Sequence, residues 1–289
     1  MLKKLIIGTS LIGLLVVCCS IVPGSAKNAD SLQIKGSDTM VNLVQAWAEE
    51  FMKKNPHSFV AVTGGGSGTG FASLINGSCD LAMASREIKP QEIKLSEAKG
   101  VHPKEFTVAL DGLAVVVNPK NNISQLTLDQ LAGIFTGKIK NWKELGGQDA
   151  KIVVLSREVN SGTHVYFKER VLQKGDPKLK EEFSSEALLL SSSQAIADEV
   201  AQNPAAIGYY GMGYIGKDHK ALALAKDDHS EFMLPTVDNV LSGRYAISRP
   251  LFLYAKGEPA GDAKKFVDFI LSDEGQTVVS ATDFVPIKK

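Results

Sequence analysis

Residues 63–70, TGGGSGTG, constrain the fold of this chain more than any other segment. A β-type run, residues 58–63, leads into them, and the apolar spacing after Gly70 predicts a helix. Backbone N–H groups at a helix start have no partner within the helix, so this loop can surround an anion. It is neither a P-loop nor a dinucleotide-binding loop, because no Lys follows Gly70 and no G-x-G-x-x-G fits. A tight glycine turn without a ligand is the alternative interpretation.

The first 26 residues have the pattern of a secretory signal peptide: two lysines, an apolar run and small residues ending at Ala26. The run is shorter than the about 20 residues that span a membrane, so we expect an exported, periplasmic or extracellular cell-surface protein. Cys18 and Cys19 leave open a lipid-anchored N-terminus. Only Cys79 follows the signal, which predicts a mature chain without internal disulfides.

The charges of the chain are balanced, with 32 basic and 32 acidic residues. This balance argues against nucleic acid as a partner, and we expect a monomer whose length suffices for two domains. The histidines follow no metal-binding spacing, so we expect neither a metal nor another cofactor. The five are His57, His102, His164, His219 and His229.

Two further helix starts carry hydroxyls. Residues 36–39, GSDT, follow a predicted strand and precede a helical apolar pattern, and residues 156–163, SREVNSGT, do the same farther along the chain. Arg86 and Arg157 each stand at a strand end. Singly, these features are typical of ordinary helix caps and, for Arg86, of a surface ion pair with Glu87. Together they are what a dehydrated tetrahedral oxyanion needs: many neutral donors and limited positive charge.

Asp111 lies within a long apolar β-run, residues 107–119. A carboxylate in such a setting is costly to bury unless it is paired. We therefore expect Asp111 either to meet an arginine or to cap a backbone turn.

Short predicted strands alternate with helices along the whole chain, which indicates α/β layers. Examples are a strand at 80–84, a helix at 193–202, a strand at 205–210 and a helix at 263–271, whereas residues 217–231 are predicted as loop. Ligands of α/β sheets bind outside the carboxyl ends of the strands, where all three helix starts are predicted to lie.

The motifs GSDTM, GGGSGTG, DLAMASRE, SREVNSGTH and NPAAIGYYG, in this order, resemble the phosphate-binding proteins of ABC-type phosphate importers, of the type II periplasmic-binding-protein family. The resemblance covers essentially the mature chain. It implies two α/β domains joined by two hinge strands, phosphate held without water in the cleft, closure by hinge motion and a membrane permease as partner. Domain I would comprise residues 27–112 and 236–289, and domain II residues 113–235, with hinges near 111–118 and 222–236.

Carried onto this sequence, the resemblance implies a phosphate-binding set made of Ser37, Thr39, Ser67, Gly68, Thr69, Ser85, Arg157, Ser161, Gly162 and Thr163. One position departs from the family: an aspartate that accepts the proton of hydrogen phosphate is replaced by Arg86. Without that acceptor the rejection of sulfate is unexplained. We hypothesise that Asp38 or Asp111 supplies it, with Asp111 favoured, and that Arg86 touches the anion or pairs with that aspartate.

Phosphate import is one of several functions that the sequence pattern allows. Sulfate, molybdate and arsenate are rival ligands, and an adhesin or signalling module could use the same fold. A phosphatase-like hydrolase would need a metal cluster or an activated nucleophile, but Ser67 is not in a G-x-S-x-G elbow because Thr69 takes the last position. We therefore expect a binding protein rather than an enzyme.

Overall fold

The computed structural model describes residues 31–287. The predicted signal peptide, residues 1–26, and the anchor candidates Cys18 and Cys19 lie outside the described residues. Among the helices of residues 31–287, none is long and apolar enough to cross a membrane.

The described residues form eleven strands and nine α-helices. The strands are β1 (Leu32–Gly36), β2 (Val60–Thr63), β3 (Leu81–Ala84), β4 (Lys104–Val117), β5 (Gln125–Thr127), β6 (Val153–Arg157), β7 (Leu188–Leu190), β8 (Ala206–Gly211), β9 (Lys220–Ala221), β10 (Ala223–Ala225) and β11 (Ser248–Ala255). The helices are α1 (Val41–Lys54), α2 (Ser67–Ile75), α3 (Pro90–Glu97), α4 (Leu128–Phe135), α5 (Gly162–Phe167), α6 (Ser193–Gln202), α7 (Val237–Leu241), α8 (Gly261–Ile270) and α9 (Asp273–Ala281).

One long sheet carries the architecture, with the strand order β2-β1-β3-β11-β4-β8-β6-β7 and with β9 also paired to β4. The strands β1, β2 and β3 are parallel, β11 and β4 run antiparallel to their neighbours, and β6 is parallel to both β7 and β8. A small parallel pair, β5 with β10, lies apart. The parallel strands of each half place their carboxyl ends, and the loops that follow, at one edge.

Strand β4 joins the two halves of the sheet. Its residues up to Gly112 pair with β11, and from Leu113 onward they pair with β8. Helices α1, α8 and α9 pack on the first half, whose core includes Trp47 and Phe266, while the second half has its own core around Phe135 and Tyr209. The predicted α/β fold with two domains is confirmed.

Local patterns account for many of the elements. Helix α1 and the short turn before it bury the apolar face predicted from the spacing of Met40, Val44, Trp47 and Phe51. Helix α4 begins at a capping box in which the Thr127 hydroxyl accepts a hydrogen bond from the N–H of Gln130. The prediction of a loop at 217–231 is wrong in part, because two strands lie within it: β9 pairs with β4, and β10 pairs with β5.

Helix α2 packs closely against β1, and Gly70 makes this approach possible. A Cβ added at Gly70 would lie 2.8 Å from both the Gly36 Cα and the Lys35 carbonyl oxygen. These are backbone atoms, which cannot turn aside as a flexible side chain can. The missing side chain therefore fixes how near the glycine loop lies to the end of β1.

We expect Gly70→Ala to lower the free energy of unfolding by about 1–3 kcal/mol, because the added methyl forces the helix away from the strand. Urea denaturation measures this change. Gly257→Ala is the matched control, since a Cβ there meets nothing within 4 Å, and its effect should stay within about 0.5 kcal/mol. Equal effects of the two substitutions would contradict the packing argument.

Candidate functional site

The three hydroxyl-rich helix starts, which follow β1, β2 and β6, meet at Ser85, which follows β3. The hydroxyl oxygens of Ser37 and Ser85 are 2.8 Å apart, and those of Thr39 and Thr163 are 2.7 Å apart. The Ser85 oxygen also lies 3.4 Å from those of Ser67 and Thr163. All five side chains are buried. We call these five residues the hydroxyl cluster.

Gly162 allows the second domain to approach this cluster. It begins helix α5, and a Cβ there would lie 2.2 Å from the Ser67 Oγ and 2.8 Å from the Ser85 Oγ. Any side chain at this position would therefore occupy the place of a hydroxyl. Helix α2 starts after Gly66, whose φ of 89° lies in the left-handed region, so glycine is also favoured there.

Three predicted residues lie beside the cluster with other partners. The Ser161 hydroxyl caps helix α5 by accepting a hydrogen bond from the His164 N–H. The Thr69 hydroxyl and the Gly68 N–H both face Asn160: the Asn160 amide lies 3.3 Å from the Thr69 Oγ1, and the Gly68 N–H donates to the Asn160 carbonyl at 3.0 Å.

Asn160 is a site residue that the sequence reasoning missed. Its side-chain amide also donates to the Gly65 carbonyl oxygen at 2.8 Å, so a single residue of the second domain makes three hydrogen bonds to the glycine loop of the first. An asparagine in a turn has no distinguishing pattern. Only the tertiary structure brings it to the loop.

Arg157 forms an ion pair with Asp38 across the two domains. Its Nη2 donates to the Asp38 Oδ2 at 2.7 Å, while the other carboxylate oxygen of Asp38 accepts from the Gly65 N–H at 2.9 Å. Arg157 is 1% exposed and also donates to the Ser191 carbonyl. Its guanidinium is therefore held against Asp38, which lies between Ser37 and Thr39 of the hydroxyl cluster.

Asp111 meets an arginine, and it also caps a turn. Its Oδ2 accepts from the Nε and Nη2 of Arg249 at 3.1 and 2.9 Å, and its Oδ1 accepts from the Met212 N–H at 3.0 Å. Both side chains are fully buried or nearly so. Arg249 was missed, although a charged residue within the apolar run of β11 was a usable signal of the same kind as Asp111.

Comparison with known proteins shows the family of this chain. The PBP superfamily domain model matches residues 22–274. The chain is 36% identical over 268 residues to the phosphate-binding protein PstS of Bacillus subtilis, covering 91% of this chain and 83% of the relative. It is 34% identical over 295 residues to PstS of Staphylococcus epidermidis, covering 97% and 88%. This chain belongs to the PstS phosphate-binding protein family.

Solved structures share the fold of this PstS-family chain. A phosphate ABC transporter substrate-binding protein of Clostridium perfringens, determined with bound phosphate, has a TM-score of 0.80 at 35% identity, covering 90% of this chain and all of that one. An ABC-type phosphate transport receptor of Vibrio cholerae has a TM-score of 0.68 at 32% identity, covering 88% and 99%.

Arg86 departs from the predicted pairing in this PstS-family chain. Its guanidinium donates twice to Glu92, at 2.7 and 2.8 Å, and once to the Glu87 carbonyl. The expectation that it pairs with Asp38 or Asp111 is wrong, because Arg157 and Arg249 hold those carboxylates. Glu92 also caps helix α3 by accepting from the Lys89 N–H at 2.8 Å, which places its carboxylate next to Arg86.

His164 follows Thr163 on α5 but faces away from the hydroxyl cluster. Its Nδ1 lies 3.3 Å from the Ser156 Oγ, which in turn lies 2.7 Å from the Tyr209 hydroxyl, and its ring stacks on Phe183. Burial lowers the pKa of His164 below its ordinary value, because the charged ring would lose its water.

Stability should therefore depend on pH through His164. The pKa of His164 is lower in the folded state, so the unfolded chain binds the proton more readily. The contribution of the neutral His164 ring to the free energy of unfolding is therefore fully present above about pH 6.5. We expect the free energy of unfolding to fall as the pH drops below that value, and to fall less in His164→Gln. Urea denaturation at about pH 7.5 and about pH 5 measures both slopes. The exposed His57, changed to Gln, is the control that should keep the wild-type slope.

Proposed function

We propose that this protein captures inorganic phosphate outside the cytoplasm and delivers it to the membrane permease of an ABC importer. The observation that carries the proposal is the hydroxyl cluster, in which five buried hydroxyls from both domains meet beside Arg157. The relatives named PstS and the phosphate-bound neighbour support the same ligand. We further propose export by the signal peptide at 1–26, with Cys18 or Cys19 as possible lipid attachment points.

The chemistry of the site favours a dehydrated tetrahedral dianion. Hydroxyls and backbone N–H groups are neutral donors that can surround several oxygens at once. The two nearby arginines are each paired with an aspartate, so the site has little net charge. Such a site binds an anion through directed hydrogen bonds rather than through excess positive charge.

We propose that the hydroxyls of the cluster and the Arg157 guanidinium donate to the phosphate oxygens, while the backbone of the neighbouring helix starts completes the shell. The proposed hydroxyl and guanidinium donors are Ser37, Thr39, Ser67, Ser85, Arg157 and Thr163, and the backbone donors are Thr69 and Gly162. Gly68 and Ser161 are left out as backbone donors, because their N–H groups donate to the carbonyls of Asn160 and Glu158. Arg86 is left out of this set because its ion pair is with Glu92 of helix α3, whereas the ion pair of Arg157 is with Asp38, between Ser37 and Thr39 of the shell.

Closure over the ligand would bring the donors of the two domains together. The cross-domain contacts Asp38–Arg157 and Asn160–Gly65 both belong to that closed arrangement. A ligand that touches both domains stabilises the closed state through its differential affinity. We propose that the first domain crossing lies between Gly112 and Leu113, where β4 changes partners.

We place the second crossing at residues 247–248 rather than near the expected boundary at residue 236. Val240, Tyr245 and Ile247 all pack in the core of the second half of the sheet. The chain returns to the first half only with β11, whose residue Ser248 pairs with Gly112. The two crossings are therefore neighbours in the sheet.

We propose that the site binds without turnover. A hydrolase using Ser67 would need a base in contact with its hydroxyl. Within the described residues this hydroxyl contacts the Ser85 N–H at 3.0 Å and the Ser85 hydroxyl at 3.4 Å, and neither group is a base. Within the described residues, the ring of His164 contacts Ser156 rather than any member of the hydroxyl cluster. Phosphate would leave the site unchanged, for transfer to the permease.

Calorimetric titration tests the ligand. We expect the wild-type protein to bind phosphate and to bind sulfate and molybdate far more weakly. Arg157→Gln should weaken phosphate binding about 10- to 100-fold, because a charge-assisted donor is lost. Arg86→Gln removes another buried, ion-paired guanidinium and should change the affinity less than about threefold. Tighter binding of sulfate or molybdate than of phosphate would contradict the proposal, and equal losses in the two variants would contradict the assignment of Arg157.

The proton of hydrogen phosphate needs an acceptor, and we propose Asp38 for this role. A carboxylate offers about four lone-pair positions. Asp111 already accepts three hydrogen bonds and is 0% exposed, whereas Asp38 accepts two and its side chain is 12% exposed. Asp38 therefore has more capacity left, and it lies between Ser37 and Thr39 in the proposed shell.

Selectivity tests this assignment. Sulfate has no proton to give, so the remaining lone pairs of the Asp38 carboxylate would repel its oxygens. In Asp38→Asn we expect the ratio of the sulfate Kd to the phosphate Kd to fall about tenfold or more, because the repulsion is removed. Asp111→Asn should preserve the ratio. Titration of both variants with both anions measures it, and the reverse result would return the role to Asp111.

A further inference from the structure

Arg249 lies directly beneath the hydroxyl cluster without belonging to the proposed ligand shell. Its Nη2 donates to the Thr163 Oγ1 at 3.0 Å, and its Nη1 donates to the Ser85 carbonyl oxygen at 3.0 Å. One guanidinium thus contacts a residue of each domain, and it is only 3% exposed. It stands on β11, next to the second domain crossing.

The bond from Arg249 fixes the direction of the Thr163 hydroxyl. A guanidinium can only donate, so the Thr163 oxygen must accept this bond and its own hydrogen must point to another group. The available directions are the Thr39 Oγ1 at 2.7 Å, the Ser85 Oγ at 3.4 Å, or an anion at the cluster. Thr163 is thereby set as a donor. The Ser85 N–H acts in the same way on the Ser67 hydroxyl, at 3.0 Å.

The guanidinium is held too firmly to turn away. Asp111 accepts from two of its nitrogens, and the Tyr166 ring lies 5.3 Å from its central carbon. Asp111 and Arg249 are direct partners in the register of β4 and β11. Two strands, rather than one flexible side chain, therefore determine where the Arg249 nitrogens point.

We propose that Arg249 is a positioning residue for anion binding: held by Asp111, it orients the Thr163 hydroxyl as a donor to the ligand. The inference rests on the proposed phosphate function and deepens it. A lysine would keep the charge but lose the planar fork, so it could not reach Asp111, the Ser85 carbonyl and Thr163 at once.

A double-mutant cycle tests the inference. Phosphate Kd values are measured by calorimetry for the wild-type protein, Arg249→Lys, Thr163→Val and the double variant, with a thermal melt of each. We expect Arg249→Lys to weaken binding about tenfold in the wild-type background and less than about threefold when Thr163 is already Val. Arg244→Lys is the matched control: this arginine is exposed, pairs with Glu231, and should leave the Kd unchanged.

The outcomes separate the inference from the function on which it rests. Equal losses from Arg249→Lys in both backgrounds would show that the arginine acts through stability rather than through Thr163, and would overturn the inference. Wild-type affinity in Arg249→Lys would also overturn the inference, but it would leave the proposed phosphate function intact. If Arg249→Lys does not fold, the pair of substitutions Asp111→Asn and Arg249→Gln replaces it in the same cycle, because neutralising both partners leaves no unpaired charge in the interior. A wild-type protein that binds no phosphate would overturn both.

Discussion

The buried pair of Asp111 and Arg249 is the interaction on which the arrangement of the site depends. Removing two charges from water is costly, and attraction between them offsets that cost only when the remaining donors and acceptors are satisfied. Here the Met212 N–H, the Ser85 carbonyl and the Thr163 hydroxyl complete the set. The pair therefore connects the crossing strands with residues of both domains, and this network determines the geometry of the site.

Neutral donors around a nearly neutral centre explain how such a site could hold an anion without water. Five buried hydroxyls supply hydrogen bonds, and each arginine is balanced by a carboxylate. Gly162 and Gly70 contribute because they have no side chain. A side chain at Gly162 would displace a hydroxyl, and one at Gly70 would push helix α2 away from β1. The arrangement of the hydroxyls therefore depends on the close backbone approach that these two glycines allow.

The sequence predicted those features that are encoded locally. The three helix starts were found because a strand, a hydroxyl-bearing turn and a helix follow one another within a few residues of Ser37, Ser67 and Ser161. The need of Asp111 for a partner followed from its apolar setting alone. The identity of that partner did not, because it requires the register between strands 138 residues apart in the chain. The pairing of Arg86 was wrong for the same reason: several carboxylates were available, and only helix α3 decides which one lies near.

Strand β4 has a mechanical consequence for how the halves of the molecule move. Gly112 pairs with Ser248, so the two crossings lie side by side in one sheet. Two paired strands resist sliding past each other and separating more than they resist rotation about their common axis. The closure proposed above would then be a rotation of the two halves about this axis, and it would bring the same faces of the halves together each time.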